Sequence, residues 1–458
     1  MFTPAPPAEA VPLAQGRTPT SAGSSQSTLD FEEPKDADGE PAELTSRPRT
    51  AVNIMKTIIG AGIFATPAAL ERAGFVFGLF MICGVGLFIY FTVMILVKAS
   101  EKTRTRSLQS LVNVCFGSAG EIFLNLVLFV VAWSSMAAYT VIIGDVIPDI
   151  LHHSVGGDAG RDSLSPAVNW LISRRAQVLF WSWLVLFPIS LAKSLARLAK
   201  FSIVALVGIV FIIISVLVTA PSLSGTASAG SESISFVIVS GIPGAVSIIS
   251  FAYICQHNIL LNYASLRRPS VPRFESVVRM SMVITVILTI AIGMAYLTFR
   301  EQSEPNILNS FPRDIGIITV CRLIFALDMF FTYPLELFIA RDTIEQAFFR
   351  KFSESKTRHV VITFLLVAST VAVGLTTCEL GMILELGGGI AGSFIAFVIP
   401  AAIWIKSHSI SGEPLSRKSQ IMYGMVIMFG ILLMVTTISV QISESLDPAR
   451  QRKDCEFQ

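Results

Sequence analysis

The chain has 458 residues, of which 53% are hydrophobic and only 14% charged, with a mean hydropathy of +0.68. Soluble domains carry about a quarter charged residues, so the composition describes a polytopic membrane protein. A net charge of +2 excludes a broad basic surface for nucleic acid, and the six cysteines show no metal-ligand or CxxC spacing, so no metal or cofactor is expected.

Residues 1–48 are rich in Pro, Ala, Ser and Thr, with acids at Asp30, Glu32, Glu33, Asp36, Asp38, Glu40 and Glu43. Such a composition buries too little apolar surface to offset ordering entropy, which predicts a disordered cytosolic tail. It lacks the basic-then-apolar pattern of a signal peptide. Eleven apolar segments follow, near 50–72, 75–98, 121–147, 176–194, 199–220, 236–262, 276–299, 315–341, 359–378, 382–405 and 420–442. Each is close to the roughly 20 residues that cross a bilayer. The predicted organisation is a tail at 1–48, a membrane-spanning domain at 49–443 and a short non-cytosolic tail at 444–458.

Span 1 holds the sequence NIMKTIIGAGIFATP, from Asn53 to Pro67. It carries a lysine, Lys56, and is then interrupted by Gly60, Ala61 and Gly62. Unwound backbone at membrane depth is tolerated only where protein buries it or it lines a cavity. Transporters use such breaks to hold substrate. Gly60 and Gly62 lack a Cβ, so the chain can leave helical geometry there and let a ligand approach. A half-helix beginning near Ile63 would turn N–H groups and partial positive charge toward a carboxylate. Lys56 has three readings: it snorkels to the interface, it acts as a fixed cation in a sodium position, or it exchanges a proton.

In span 3, Asp145 is read as interfacial, and the following loop at 148–175 contains His152 and His153, a solvated pair or a pH sensor. Span 6 reads GIPGAVSIISFAYICQHNILLNYASL over 241–266. Its polar run Gln256, His257, Asn258 either marks a second break facing a cavity or lies at the interface. Carbonyls freed at such a break would accept from an ammonium, so the two breaks together suit an amino acid. Spans 1 and 6 are five apart, the spacing expected of an inverted-topology repeat with substrate where the halves meet. Span 8 carries Arg322, Asp328, Thr332, Pro334 and Glu336. Thr332 precedes the proline kink, where its hydroxyl either joins freed carbonyls around a small cation or back-bonds in its own helix. In span 10, Glu385 precedes Gly387, Gly388 and Gly389, which indicate close helix packing.

Nineteen Lys and Arg fall in loops after even-numbered spans against six in the others, which places the N-terminus in the cytosol. Cys83, Cys255 and Cys321 read as packing residues, and Cys378 and Cys455 fall on one side, where they could form a disulfide.

These residues give the chain a resemblance to the amino acid/auxin permease family, in particular to the sodium-coupled neutral amino acid transporters (solute carrier family 38) and fungal vacuolar amino acid transporters. It covers about residues 50–442. The motif Asn53…Gly60-Ala61-Gly62-Ile63…Pro67 resembles the family's span 1 signature. Phe251-Ala252-Tyr253-Ile254-Cys255-Gln256-His257-Asn258 resembles its span 6 motif, and Arg322-Leu323, Thr332-Tyr333-Pro334 and Arg341 its span 8 motif. The resemblance implies an all-α membrane protein of eleven transmembrane helices in a LeuT-like five-plus-five inverted repeat, with helices 1 and 6 broken. It implies coupled amino acid transport, probed at Gly60, Ala61, Gly62, Ile63, Phe251, Tyr253, Cys255 and Gln256 for substrate. Asn53, Lys56 and Thr332 are the ion-coupling candidates, with Asn53 and Thr332 as the family's sodium positions. Two departures matter: Lys56 stands where sodium-coupled members often have a second Asn, and Gln256 replaces a histidine. Lys56 would repel Na⁺, which favours H⁺ coupling. The expected function is therefore alternating-access transport of neutral amino acids at a plasma or vacuolar/lysosomal membrane. The alternative is an amino acid sensor signalling through its N-terminal tail. No nucleophile–base cluster suggests an enzyme.

Overall fold

A computed structural model of the protein describes residues 44–154, 165–192, 202–223, 234–353, 355–377 and 379–445. These are almost entirely helical. In chain order the helices are α1 (Arg47–Ile58), α2 (Ala61–Phe64), α3 (Thr66–Ala73), α4 (Phe75–Thr103), α5 (Leu108–Ser154), α6 (Pro166–Ile172), α7 (Arg174–Trp181), α8 (Phe187–Ser190) and α9 (Ser202–Leu223). They continue as α10 (Ile242–Tyr253), α11 (Gln256–Ala264), α12 (Val271–Gly293), α13 (Tyr296–Phe299), α14 (Gly316–Phe348), α15 (Lys356–Thr376), α16 (Leu380–Leu386), α17 (Ile399–Ile410) and α18 (Arg417–Ser445). Among the described residues there is no strand, only a parallel bridge between Thr45 and Leu266.

Nine helical stretches among the described residues are long and apolar enough to cross a membrane. Two of the eleven expected segments are not among them: span 1 is helical only in pieces, and the described helical run of span 4, residues 174–190, is short. Span 1 is divided at Ile59 (φ −82°, ψ 96°) and Gly60 (φ −137°, ψ −152°) into α1 and α2, and α3 follows after Ala65. Gly74, with φ +82°, ends α3; a side chain there would also collide with the Phe236 carbonyl. Span 4 passes through a π-helical turn at Ser182–Leu186. Pro188 lies directly beyond this turn and cannot donate to the preceding one, which accounts for the local loosening. Its expected end, 193–194, lies outside the described residues.

Other differences are local. Helix α5 begins at Leu108 and turns sharply at Gly117 (φ +68°). It then runs on to Ser154, so the expected loop at 148 is still helical and His153 lies exposed near the helix end. Cys83 is exposed rather than packed, while Cys255 and Cys321 are buried; Cys378 and Cys455 lie outside the described residues. Helix α1 starts at Arg47, and Thr45 exchanges backbone hydrogen bonds with Ser265 and Arg267, so residues 45–48 of the stretch expected as tail pack onto the bundle.

Buried arginines tie the bundle together. Asp145 is buried, not interfacial, and accepts from Arg174 Nε at 2.7 Å. The same guanidinium donates to the Gly374 and Thr377 carbonyls, joining α5, α7 and the end of α15. Arg322, with no exposed surface, donates to the carbonyls of Leu308 and Phe311. Arg341 donates to the Ser190 carbonyl and to Thr363 Oγ1. In the π-helical run Gly387–Gly392, a Cβ on Gly388 would lie 2.0 Å from the Ser247 carbonyl oxygen and one on Gly389 2.5 Å from Thr437, so this helix packs backbone-close against α10 and α18.

Removing one partner of a buried ion pair leaves the other charge uncompensated, a loss of about 3–5 kcal/mol. Asp145→Ala is therefore expected to lower the melting temperature of the detergent-purified protein strongly, whereas changing exposed Glu413 to Ala leaves it nearly unchanged. Equal melting curves for the two variants would refute this clamp.

Candidate functional site

The two interrupted helices meet. Helix α10 ends at Tyr253, and Ile254 (φ −61°, ψ 119°) and Cys255 (φ −142°, ψ −2°) separate it from α11. This is the second break, just before the polar run that the sequence singled out. A Cβ on Gly62 would lie 2.7 Å from Ala252 Cα and 3.0 Å from its Cβ. Only a glycine at 62 lets α2 and α10 approach this closely. The last carbonyls of α10 and the first N–H groups of α2 have no partner within their own helices. The second break thus follows directly on the segment of α10 that α2 packs against.

Gly60 has a different role from Gly62. Its φ of −137° is open to other residues, and a Cβ there would meet only the Tyr139 hydroxyl oxygen, at 3.7 Å. Tyr139 of α5 is buried and was not singled out by the sequence reading. It is a polar group aimed at the break, and a tyrosine in an apolar span gives no signal of that in one dimension.

Beside the break stands a pair of opposite charges. Lys56 Nζ donates to Asp328 Oδ1 at 2.6 Å and lies 3.5 Å from Thr332 Oγ1. Lys56 does not snorkel: its side chain is 10% exposed and its ammonium points into α14. Thr332 donates to the Asp328 carbonyl at 2.8 Å, the back-bonded geometry, while still facing the ammonium. Asp328 Oδ2 is buried without a hydrogen-bond partner. A lone lysine and a lone aspartate on different membrane spans were the available clue to this pair, but 272 positions separate them.

The remaining candidates divide. Ala61 and Ile63 are buried at the break, and Phe251, partly exposed, lies against Gly387 and Gly388. Gln256 is fully buried; its Oε1 accepts from the Cys255 N–H at 3.0 Å and its Nε2 donates to Thr92 Oγ1 at 3.4 Å. Its amide therefore caps the second break from within and anchors it to α4. Tyr253 is buried with its ring against Gly86 of α4, and Cys255 is buried within the break. Asn53 lies one turn before Lys56; its carbonyl accepts from Thr57 Oγ1, and its side chain makes no hydrogen bond among the described residues.

A polytopic helical protein with two facing helix breaks beside a buried charge pair has the architecture of a membrane transporter. Residues 44–443 match the family model described as transmembrane amino acid transporter protein, and the chain belongs to that family. A Danio rerio protein described as "putative sodium-coupled neutral amino acid transporter 11" is 29% identical over 384 residues, spanning 84% of this chain and 83% of its own. Vacuolar amino acid transporter 2 of Saccharomyces cerevisiae is 28% identical over 407 residues, 86% of this chain and 83% of its own. The crystallised manganese transporter of Eremococcus coleocola shares the fold, with a TM-score of 0.54 at 12% identity over 88% of this chain and 87% of that one.

The two glycines are expected to separate by experiment. Gly62→Ala forces α2 from α10 and should lower both melting temperature and transport. Gly60→Val should keep the wild-type melting temperature yet lose transport, because its methyls extend toward Tyr139. Wild-type transport by Gly60→Val would remove this region from consideration as the site.

Proposed function

We propose that the protein is a secondary active transporter that carries neutral amino acids by alternating access, coupled to protons rather than sodium. The observation that carries this reading is the meeting of the two helix breaks at Gly62 and Ala252. An α-amino acid has a carboxylate and an ammonium a few bonds apart. The N–H groups of Ala61 and Gly62, with the Tyr139 hydroxyl, suit the carboxylate. The terminal carbonyls of α10 and the free Asp328 oxygen suit the ammonium. Phe251 would border the side chain, while Ile63 shapes the first turn behind the carboxylate. Gln256, Tyr253 and Cys255 hold the second break in place.

Counting spans 1 and 4 with the nine long helices gives eleven crossings, and the breaks in spans 1 and 6 fit a LeuT-like five-plus-five repeat. The domain then runs over 49–443, with the N-terminal tail in the cytosol. The membrane is a plasma or vacuolar/lysosomal one, the latter matching the name of the yeast relative.

Coupling is argued from charge. Where the family's sodium positions would be Asn53 and Thr332, the Lys56 ammonium already stands between Asp328 and Thr332. Two unit positive charges 4 Å apart repel by about 4 kcal/mol at an effective dielectric of 20. Sodium would need to displace Lys56 from a 2.6 Å ion pair to enter. Lys56 thus supplies the charge that a sodium ion would otherwise bring.

Purified protein in liposomes, offered a panel of amino acids, should accumulate neutral ones under an imposed pH gradient and not under a sodium gradient. Lys56→Asn should gain a sodium response, seen in uptake and as sodium-dependent thermal stabilisation. Unchanged pH and sodium responses in Lys56→Asn would overturn the coupling assignment. A protein that binds amino acids without moving any of them would instead be a sensor.

A further inference from the structure

Seven acidic side chains lie on α5 and α14, and six of them have partners. Glu121 pairs with Arg350, Asp145 with Arg174, Asp149 with Arg313, Asp328 with Lys56 and Glu345 with Arg358, while Asp342 accepts from Gln346. The seventh, Glu336, has neither a hydrogen bond nor an ion pair among the described residues. An unpaired carboxylate inside a membrane span is costly unless a proton or another cation accompanies it.

Its placement connects it to the site. Glu336 is one helical turn beyond Thr332 and two beyond Asp328, so the three share a face of α14. Side chains on a helix lean toward its N-terminus, which directs the Glu336 carboxyl back toward Thr332. The Tyr139 hydroxyl at the Gly60 break lies within electrostatic reach of both Glu336 and Asp328. Glu336 is also only partly buried, as expected of a group bordering accessible space.

We propose that Glu336 carries the coupled proton, a conclusion that rests on the proton-coupled reading above. Lys56 is a poor carrier, because losing a proton would leave Asp328 uncompensated. Lys56 and Asp328 together are neutral. Glu336 adds one negative charge to the face they share, and one proton removes it. The step is a simple exchange: an O–H bond forms on the carboxylate with a proton from water on one side of the membrane, and breaks when that proton passes to water on the other. No further reactant is needed.

The surrounding groups are consistent with a single titrating residue. From α5 the facing group is Tyr139, and from α1 it is Lys56. Helix α9 and the segment 182–190 contribute no titratable side chain. At the α15 end, His359 is engaged with the Leu191 carbonyl at 3.2 Å and Arg358 with Glu345. On α14 itself, Arg341 is committed to Ser190 and Thr363.

The test uses the full-length protein in liposomes containing a trapped pH dye, with a transported neutral amino acid as probe. Three readouts are compared: gradient-driven uptake, substrate-driven proton flux and amino acid exchange without a gradient. Glu336→Gln fixes the carboxyl in its neutral form. It should retain exchange but lose both proton flux and gradient-driven accumulation. Glu336→Asp should keep all three with a displaced pH midpoint. Proton drive in the wild type that persists in Glu336→Gln overturns this assignment alone. Absence of proton drive in the wild type overturns it together with the coupling reading. If Glu336→Gln is inert in every readout, Glu336→Asp decides: a displaced midpoint supports the assignment, and an unchanged midpoint or total loss makes Glu336 structural.

Discussion

A helix interrupted inside a membrane leaves backbone groups that water cannot reach, and everything distinctive in this molecule follows from how they are accommodated. The solution is to place two interruptions together. Gly62 against Ala252 is the contact that permits it, since any Cβ at 62 would intrude on the α10 backbone. The interrupted segments are also held by contacts to neighbouring helices. Gln256 caps the second break and reaches Thr92 of α4. Gly388 lets the π-helical turn after α16 close against Ser247. The two interruptions are thereby packed against each other within the protein.

The second constraint is electrostatic. Charges within the membrane-spanning region persist where they are paired, and the arginines show the structural version. Arg174 and Arg341 grip carbonyls at the ends of α15 and α8, and Arg322 grips those of Leu308 and Phe311 ahead of its own helix. The pair Lys56–Asp328 is different in position, not in kind. It joins the interrupted helix to α14 beside the break, so motion of α1 relative to α14 must either carry the pair along or break it. Breaking it would strand two charges, which argues for α1 and α14 staying in register there while other contacts change.

Much of this was legible from the chain. The break in span 1 follows from glycines flanking Ala61 in an apolar segment, and the family from motifs that recur in order. What could not be read was pairing at long range. Asp328 was visible as a charge in a span, but nothing local to it indicates a partner near the other end of the chain. Tyr139 was silent because burial alone explains a tyrosine in an apolar helix. Nor could the sequence show that the Gln256 amide accepts from the Cys255 N–H and donates to the Thr92 hydroxyl. The π-turn of span 4 was hidden because hydropathy measures apolar content and is blind to the missing hydrogen bond at Pro188.

The same reasoning separates residues that shape the site from those that act in it. A side chain whose polar atoms are all satisfied within the protein has nothing left to offer a ligand. Gln256 and Arg174 are of this kind, with each hydrogen-bonding end engaged. Asp328 is half of this kind, one oxygen bound to Lys56 and the other free. Glu336 has no partner at all among the described residues. Ranked by unsatisfied capacity rather than by motif membership, the Asp328 and Glu336 carboxyls of α14 stand with Ser250 Oγ and His257 Nδ1 around the second break, which are also buried without a hydrogen-bond partner among the described residues. Conservation of charge across a transport cycle then requires that what meets the α14 carboxyls with a positive charge leaves them again on the other side.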